Sequence, residues 1–164
     1  MRSLIVLLLL IGVYPAKAQQ LFPDRCIGVW NGMMHIYSKG IKKDSVMVVF
    51  EVHKQNDTTW GWKTKYVSEK SPMVKDYTLR QSNNQYEFIT DEGQNIQLQE
   101  YVYGNKMYSQ FETGNILLTS SYELVNPGEL LFEVTAASRS PQNETSELQN
   151  YTVVSLQRVL LIKQ

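Results

Sequence analysis

His35, His53, Cys26 and four carboxylates, Glu51, Glu87, Glu100 and Glu133, are the side chains whose types could support acid–base, metal or nucleophilic chemistry. Neither histidine has a metal-ligand partner at a useful spacing. His35 falls opposite Trp30 in strand phase, and His53 stands beside Lys54 at a strand end, so both read as surface residues. Cys26 is the one cysteine and has no His or Cys beside it. It reads as a small buried hydrophobe rather than a reactive thiol. The four carboxylates mostly alternate with apolar residues and are expected to face water. No serine sits in a nucleophile elbow, and no glycine loop could cradle a phosphate. No catalytic residue, metal or cofactor is expected, and an enzyme ranks last among the functions considered.

The chain is richer in recognition chemistry, with ten tyrosines and three tryptophans. The elements that must position them are strands. Short runs of β-branched and aromatic residues are each closed by Gly, Asn, Asp or Pro. These predict about ten strands: Gly28 to Tyr37, Ser45 to His53, Thr58 to Val67, Met73 to Gln81, Gln85 to Thr90, Asn95 to Tyr103, Lys106 to Thr113, Ile116 to Leu124, Glu129 to Ala137 and Thr152 to Lys163. Gly104-Asn105 and Gly114-Asn115 suit two-residue type II′ hairpins, where the first position needs positive φ. Ser82-Asn83-Asn84, Asp91-Glu92-Gly93 and Asn126-Pro127-Gly128 are expected to make longer turns. Connections this short join only antiparallel neighbours.

Each strand shows one apolar and one wet face. Trp60, Trp62, Thr64 and Tyr66 share a phase opposed by Lys63 and Lys65; Val46, Val48, Phe50 and Val52 are opposed by Ser45, Glu51 and His53. The fold class is therefore all-β, a single antiparallel up-and-down barrel, because closure removes exposed edges. A two-sheet sandwich is the alternative. The polar connection Ser138 to Asn150 has only Leu148 as a sizeable apolar anchor and is expected to lie outside the barrel, as a lid or a tolerant loop.

The N-terminus predicts export. Arg2, the apolar run Leu4 to Val13, Pro15 and the small-x-small triplet Ala16-Lys17-Ala18 have the order of a cleavable signal peptide over residues 1–18. The run is too short to span a bilayer. Residues 19–164 then form one domain, secreted or periplasmic. The chain has 16 Lys+Arg and 16 Asp+Glu. Losing Arg2 and Lys17 with the leader tips the domain slightly negative, which argues against nucleic acid or an anionic membrane as a partner. Asn56-Asp57-Thr58, Asn143-Glu144-Thr145 and Asn150-Tyr151-Thr152 match the glycosylation triplet, which matters only in a host that glycosylates.

Gly28-Val29-Trp30, at the start of the first strand and just after Phe22-Pro23-Asp24, resembles the calycin superfamily of lipocalins, fatty-acid-binding proteins and nitrobindin-like domains. The lipocalin middle motif has no counterpart here, so the resemblance points to the other branches or to a bacterial lipocalin-like domain. It implies a lipocalin-like barrel in which a tryptophan at the closed end is crossed by an arginine from the last strand. Trp30 and Arg158 match those positions, and their contact would be a cation–π stack with a structural role. The alternative leaves Trp30 as a core aromatic and Arg158 in solvent. A haem site of the nitrobindin kind would need an inward histidine on a late strand, and none follows His53.

The inward phase nominates Met34, Ile36, Phe50, Trp60, Trp62, Tyr66, Tyr77, Phe88, Phe111, Tyr122 and Phe132 as the barrel interior. If a cavity is open among them, it would hold a small apolar or amphipathic ligand. If they fill the interior, the protein is a non-enzymatic interaction or scaffold protein whose loops bind another protein. A solvent-connected cavity of about 300 Å³ or more separates the two.

Overall fold

Ten antiparallel strands follow one another around a closed ring in chain order, in a computed structural model that describes residues 20–140, 145 and 147–164. They are β1 (Gly28–Ser38), β2 (Ile41–Asn56), β3 (Thr59–Val67), β4 (Met73–Gln81), β5 (Glu87–Gly93), β6 (Ile96–Tyr103), β7 (Lys106–Thr113), β8 (Ile116–Asn126), β9 (Glu129–Arg139) and β10 (Tyr151–Lys163). The ring closes by pairing β1 with β10, which settles the choice between barrel and sandwich. The expected leader over residues 1–18 lies outside the described residues.

The turns explain where strand ends differ from the sequence reading. Gly104 and Gly114 each open a two-residue turn at φ 63° and 59°, as the type II′ expectation requires. The β5–β6 reversal instead falls at Gln94-Asn95, both at positive φ, rather than at Asp91-Glu92-Gly93. β5 therefore runs on to Gly93, with a bulge between Asp91 and Gly93 that contains Glu92. The first hairpin turns at Lys39-Gly40, also at positive φ, so β1 runs to Ser38 and β2 begins at Ile41 rather than at Ser45. Likewise β9 continues to Arg139, opposite Tyr151. Of the expected polar connection, Ser140 donates its N–H to Asn150 and residues 141–144 and 146 lie outside the described residues.

One end of the barrel is plugged by α1 (Phe22–Cys26), with Phe22 and Cys26 buried. Two indoles hold it. Trp30 Nε1 donates to the Cys26 carbonyl at 2.7 Å, and Trp60 Nε1 donates to Asp24 Oδ1 at 2.8 Å, where Lys54 also pairs at 3.3 Å. Above the plug, Trp30, Trp60, Leu79, Phe88, Met107, Leu130 and Leu161 fill this half of the interior. Each such side chain contributes roughly 1.5–3 kcal/mol on burial. Cys26 is fully enclosed, and burial pushes its thiol up, in keeping with the inert reading.

The Trp30–Arg158 contact is not formed. Arg158 is 57% exposed and pairs with Glu133 at 3.5 Å, while Lys163 Nζ lies over the Trp30 ring at 5.2 Å. The reason is register. Trp30 stands opposite Lys163, whereas Arg158 stands opposite His35. Arg158 is also in the outward phase of β10, since Val159 and Leu161 are the buried residues. Gly28 makes room for the lysine. It sits at φ 134°, and a Cβ there would come 2.8 Å from Lys163 Cε.

Asp24 joins the plug to the Trp60 indole, so Asp24→Ala should strand a buried N–H and lower unfolding stability by about 1–3 kcal/mol. Urea denaturation measures it; an unchanged midpoint would show that α1 is not held by this bond.

Candidate ligand-binding site

The other half of the barrel is not filled. Its floor is an aromatic cluster. Tyr122 and Phe132 stack at 4.4 Å with rings 7° from parallel; Phe50 stacks on Tyr122 at 5.2 Å; Trp62 meets Phe50 and Tyr122 edge-on at 4.9 and 5.2 Å. Above it lies a cavity of about 270 Å³ that opens toward solvent. That is somewhat below the roughly 300 Å³ expected of an open ligand cavity and below the usual range of ligand pockets, about 300–1,000 Å³.

Six of the eleven nominated interior residues line this cavity: Trp62, Tyr66, Tyr77, Phe111, Tyr122 and Phe132. The other five do not. Met34, Phe50, Trp60 and Phe88 are fully enclosed in the packed core, and Ile36 packs against it. The inward phase identifies interior positions but not their height along the barrel, and the plug decides which heights are filled.

The walls also carry polar groups: Thr64, whose inward phase the sequence showed, and Thr90, Ser120 and Gln157, which it did not, with Lys75, Glu92 and Glu100 as charged residues. Glu100 corrects the expectation that the strand carboxylates face water. It is 4% exposed, between the inward Leu98 and Val102, while Glu51, Glu87 and Glu133 bond outward partners. Thr90 Oγ1 donates to Glu100 Oε1 at 2.8 Å; Oε2 has no partner among the described residues. Glu92 was hidden because its tripeptide looked like a turn, whereas the bulge carries it along the cavity wall.

Electrostatics follow from burial. Desolvation pushes the Glu100 carboxyl up to about 7, opposed by the Thr90 hydrogen bond and reinforced by the Glu92 charge. Burial raises Tyr66 and Tyr122 as well; Tyr77 is raised by burial and then by Glu92. These phenols are therefore neutral hydrogen-bonding groups near pH 7. Lys75 Nζ lies 5.9 Å from the Tyr77 ring centroid, half-buried.

His35 and His53 sit outside, as expected. His35 Nδ1 is 3.0 Å from Ser45 Oγ, and His53 lies exposed beside Gly61. Among the described residues no cluster of His, Cys, Asp and Glu could hold a metal ion. A second concavity, about 430 Å³, lies at the closed end beside Arg25, Asn105 and Lys163. There Arg25 already bonds Asn105 and Lys163 already covers Trp30, so its polar groups are engaged within the protein.

No protein-family model matches the chain, and no curated protein matches it. Solved structures do resemble it. An S-type phycobiliprotein lyase from Guillardia theta matches with TM-score 0.64 and 5% identity, covering 89% of this chain and 94% of that one. A protein of unknown function from the DUF3598 family of Nostoc punctiforme matches with TM-score 0.61 and 10% identity over 87% of this chain and 49% of that one. Rv2717c from M. tuberculosis matches with TM-score 0.53 and 12% identity, covering 86% and 94%. At these identities the likeness shows the fold alone, a closed ten-strand antiparallel barrel.

Glu100 makes stability depend on pH. Its pKa is raised on folding from 4.5 to about 7, so the folded state holds the proton more tightly. The resulting stabilisation is complete below roughly pH 4.5 and is lost as pH rises through about 7. Relative to Glu100→Gln, the natural protein should lose about 3 kcal/mol between roughly pH 4.5 and 8. Parallel urea curves for the two proteins would show an oxygen in contact with water instead.

Proposed function

We propose that this protein is an exported, non-enzymatic binding protein that holds one small amphipathic ligand in the open half of its barrel. The observation that carries this reading is the cavity itself. Aromatic walls rise from a packed floor, and a few convergent polar groups interrupt them. Trp62, Tyr66, Phe111 and Phe132 offer apolar contact area, while Thr90, Ser120 and Gln157 offer directional bonds. Export rests on the order of Arg2, Leu4 to Val13 and Ala16-Lys17-Ala18. The likeness to a phycobiliprotein lyase supplies the fold, and the ligand reading stands on the cavity.

A second reading, a scaffold that binds another protein, is favoured by one observation. Val29, Met33, Met47, Leu160 and Ile162 are exposed on β1, β2 and β10, which are neighbours in the ring. The cavity ranks first because it joins apolar walls to a few convergent polar groups, as small-ligand sites do.

Ser120→Phe projects a ring into the cavity without removing a core side chain. Ligand-observed NMR with a set of small aromatic molecules should show saturable binding to the natural protein and none to the filled variant. Native mass spectrometry of protein purified from its source should show an adduct of one small molecule per chain, absent from that variant. Fragments that bind both proteins equally would place binding on the outer surface and contradict the reading.

A further inference from the structure

We infer that the ligand is an organic cation, a small protonated amine on an apolar or aromatic body, with its ammonium received by Glu100. This deepens the proposed function and rests on the cavity being a ligand site. Glu100 offers an acceptor that no described residue uses. Its Oε1 takes the Thr90 hydroxyl, its Oε2 is buried without a partner, and the residue lines the cavity. None of the described ion pairs includes it. A buried carboxylate oxygen of this kind is best matched by a cationic N–H, which makes a charge-assisted hydrogen bond.

The surroundings select the same charge. Every titratable group lining the cavity with Glu100 can be placed: Glu92 on β5, Lys75 and Tyr77 on β4, Tyr66 on β3 and Tyr122 on β8. β7 contributes Ser109 opposite Glu100 and Phe111 on the wall, neither of which titrates. The three phenols are neutral near pH 7. Two carboxylates therefore face one lysine, and that lysine lies over the Tyr77 ring. An anionic headgroup would meet repulsion from both glutamates. An ammonium meets attraction from them, in a wall that also carries the Tyr66 ring, and an aromatic ring favours a cation within about 6 Å of its centroid.

The test titrates the full mature domain with three probes of similar size, 2-phenylethylammonium, 2-phenylethanol and 3-phenylpropanoate, by NMR at pH 8. The ammonium should bind at least tenfold tighter than the alcohol, with the carboxylate weakest. E100Q should bring the ammonium down to the alcohol's affinity. In the natural protein the ammonium should weaken about tenfold from pH 8 to pH 6, as Glu100 takes up its proton, and E100Q should lose that dependence. An alcohol or carboxylate that binds as tightly as the ammonium, or an ammonium affinity that E100Q does not change, overturns the cation assignment and leaves the cavity as a ligand site. Failure of all three probes to bind in a manner that Ser120→Phe abolishes overturns both.

Discussion

The pairing of β1 with β10 is the constraint on which everything else depends. Once the last strand returns to the first, each strand has two neighbours, and alternate side chains are committed to inside or outside. One residue of slippage would turn the interior aromatics out into water. The same pairing sets Lys163 opposite Trp30 and so chooses which cation crosses the indole at the closed end. α1 then converts a ring into a cup. Its hydrogen bonds to two indoles fix the packed half and leave the opposite half free to remain hollow.

Within that cup the polar and apolar parts of the interior are separated by height. Trp30, Trp60, Phe88 and Met107 build a dry base, and the Phe50, Trp62, Tyr122 and Phe132 cluster caps it. Polar groups enter the interior from the level of Thr64, Thr90 and Glu100 upward. A carboxylate left without a full set of partners in this layer destabilises the protein at neutral pH, and such a cost is commonly found where a site is held ready for another molecule.

Much of this was legible in the sequence, because strand periodicity reports directly on which side chains share a face. The ten strands, the closed meander and the two Gly-Asn hairpins all follow from local chemistry. The closing pair was misassigned because a motif resemblance does not carry register: Arg158 is a plausible stacking cation by type but stands on the outward phase, five positions from the residue that faces Trp30. Glu92 was missed because Asp-Glu-Gly has the composition of a turn, whereas the backbone turns at Gln94-Asn95, two residues that adopt positive φ without glycine. Glu100 had a signal, its phase with Leu98 and Val102. A strand glutamate ordinarily faces water, and that general tendency masks the phase, although a closed ring leaves the Leu98–Glu100–Val102 face only the interior.

The central claim is that the hollow half of the barrel, and not the outer surface, receives a small molecule. Intermolecular nuclear Overhauser effects on a complex with 2-phenylethylammonium test it most directly, because they report which side chains the bound ring touches. Contacts are expected from the ring protons to the Leu98 and Leu118 methyls and to Phe111, all on the cavity wall. Contacts confined to the exposed Tyr103 and Tyr108, or to Met33 and Met47 on the outer face, would contradict it.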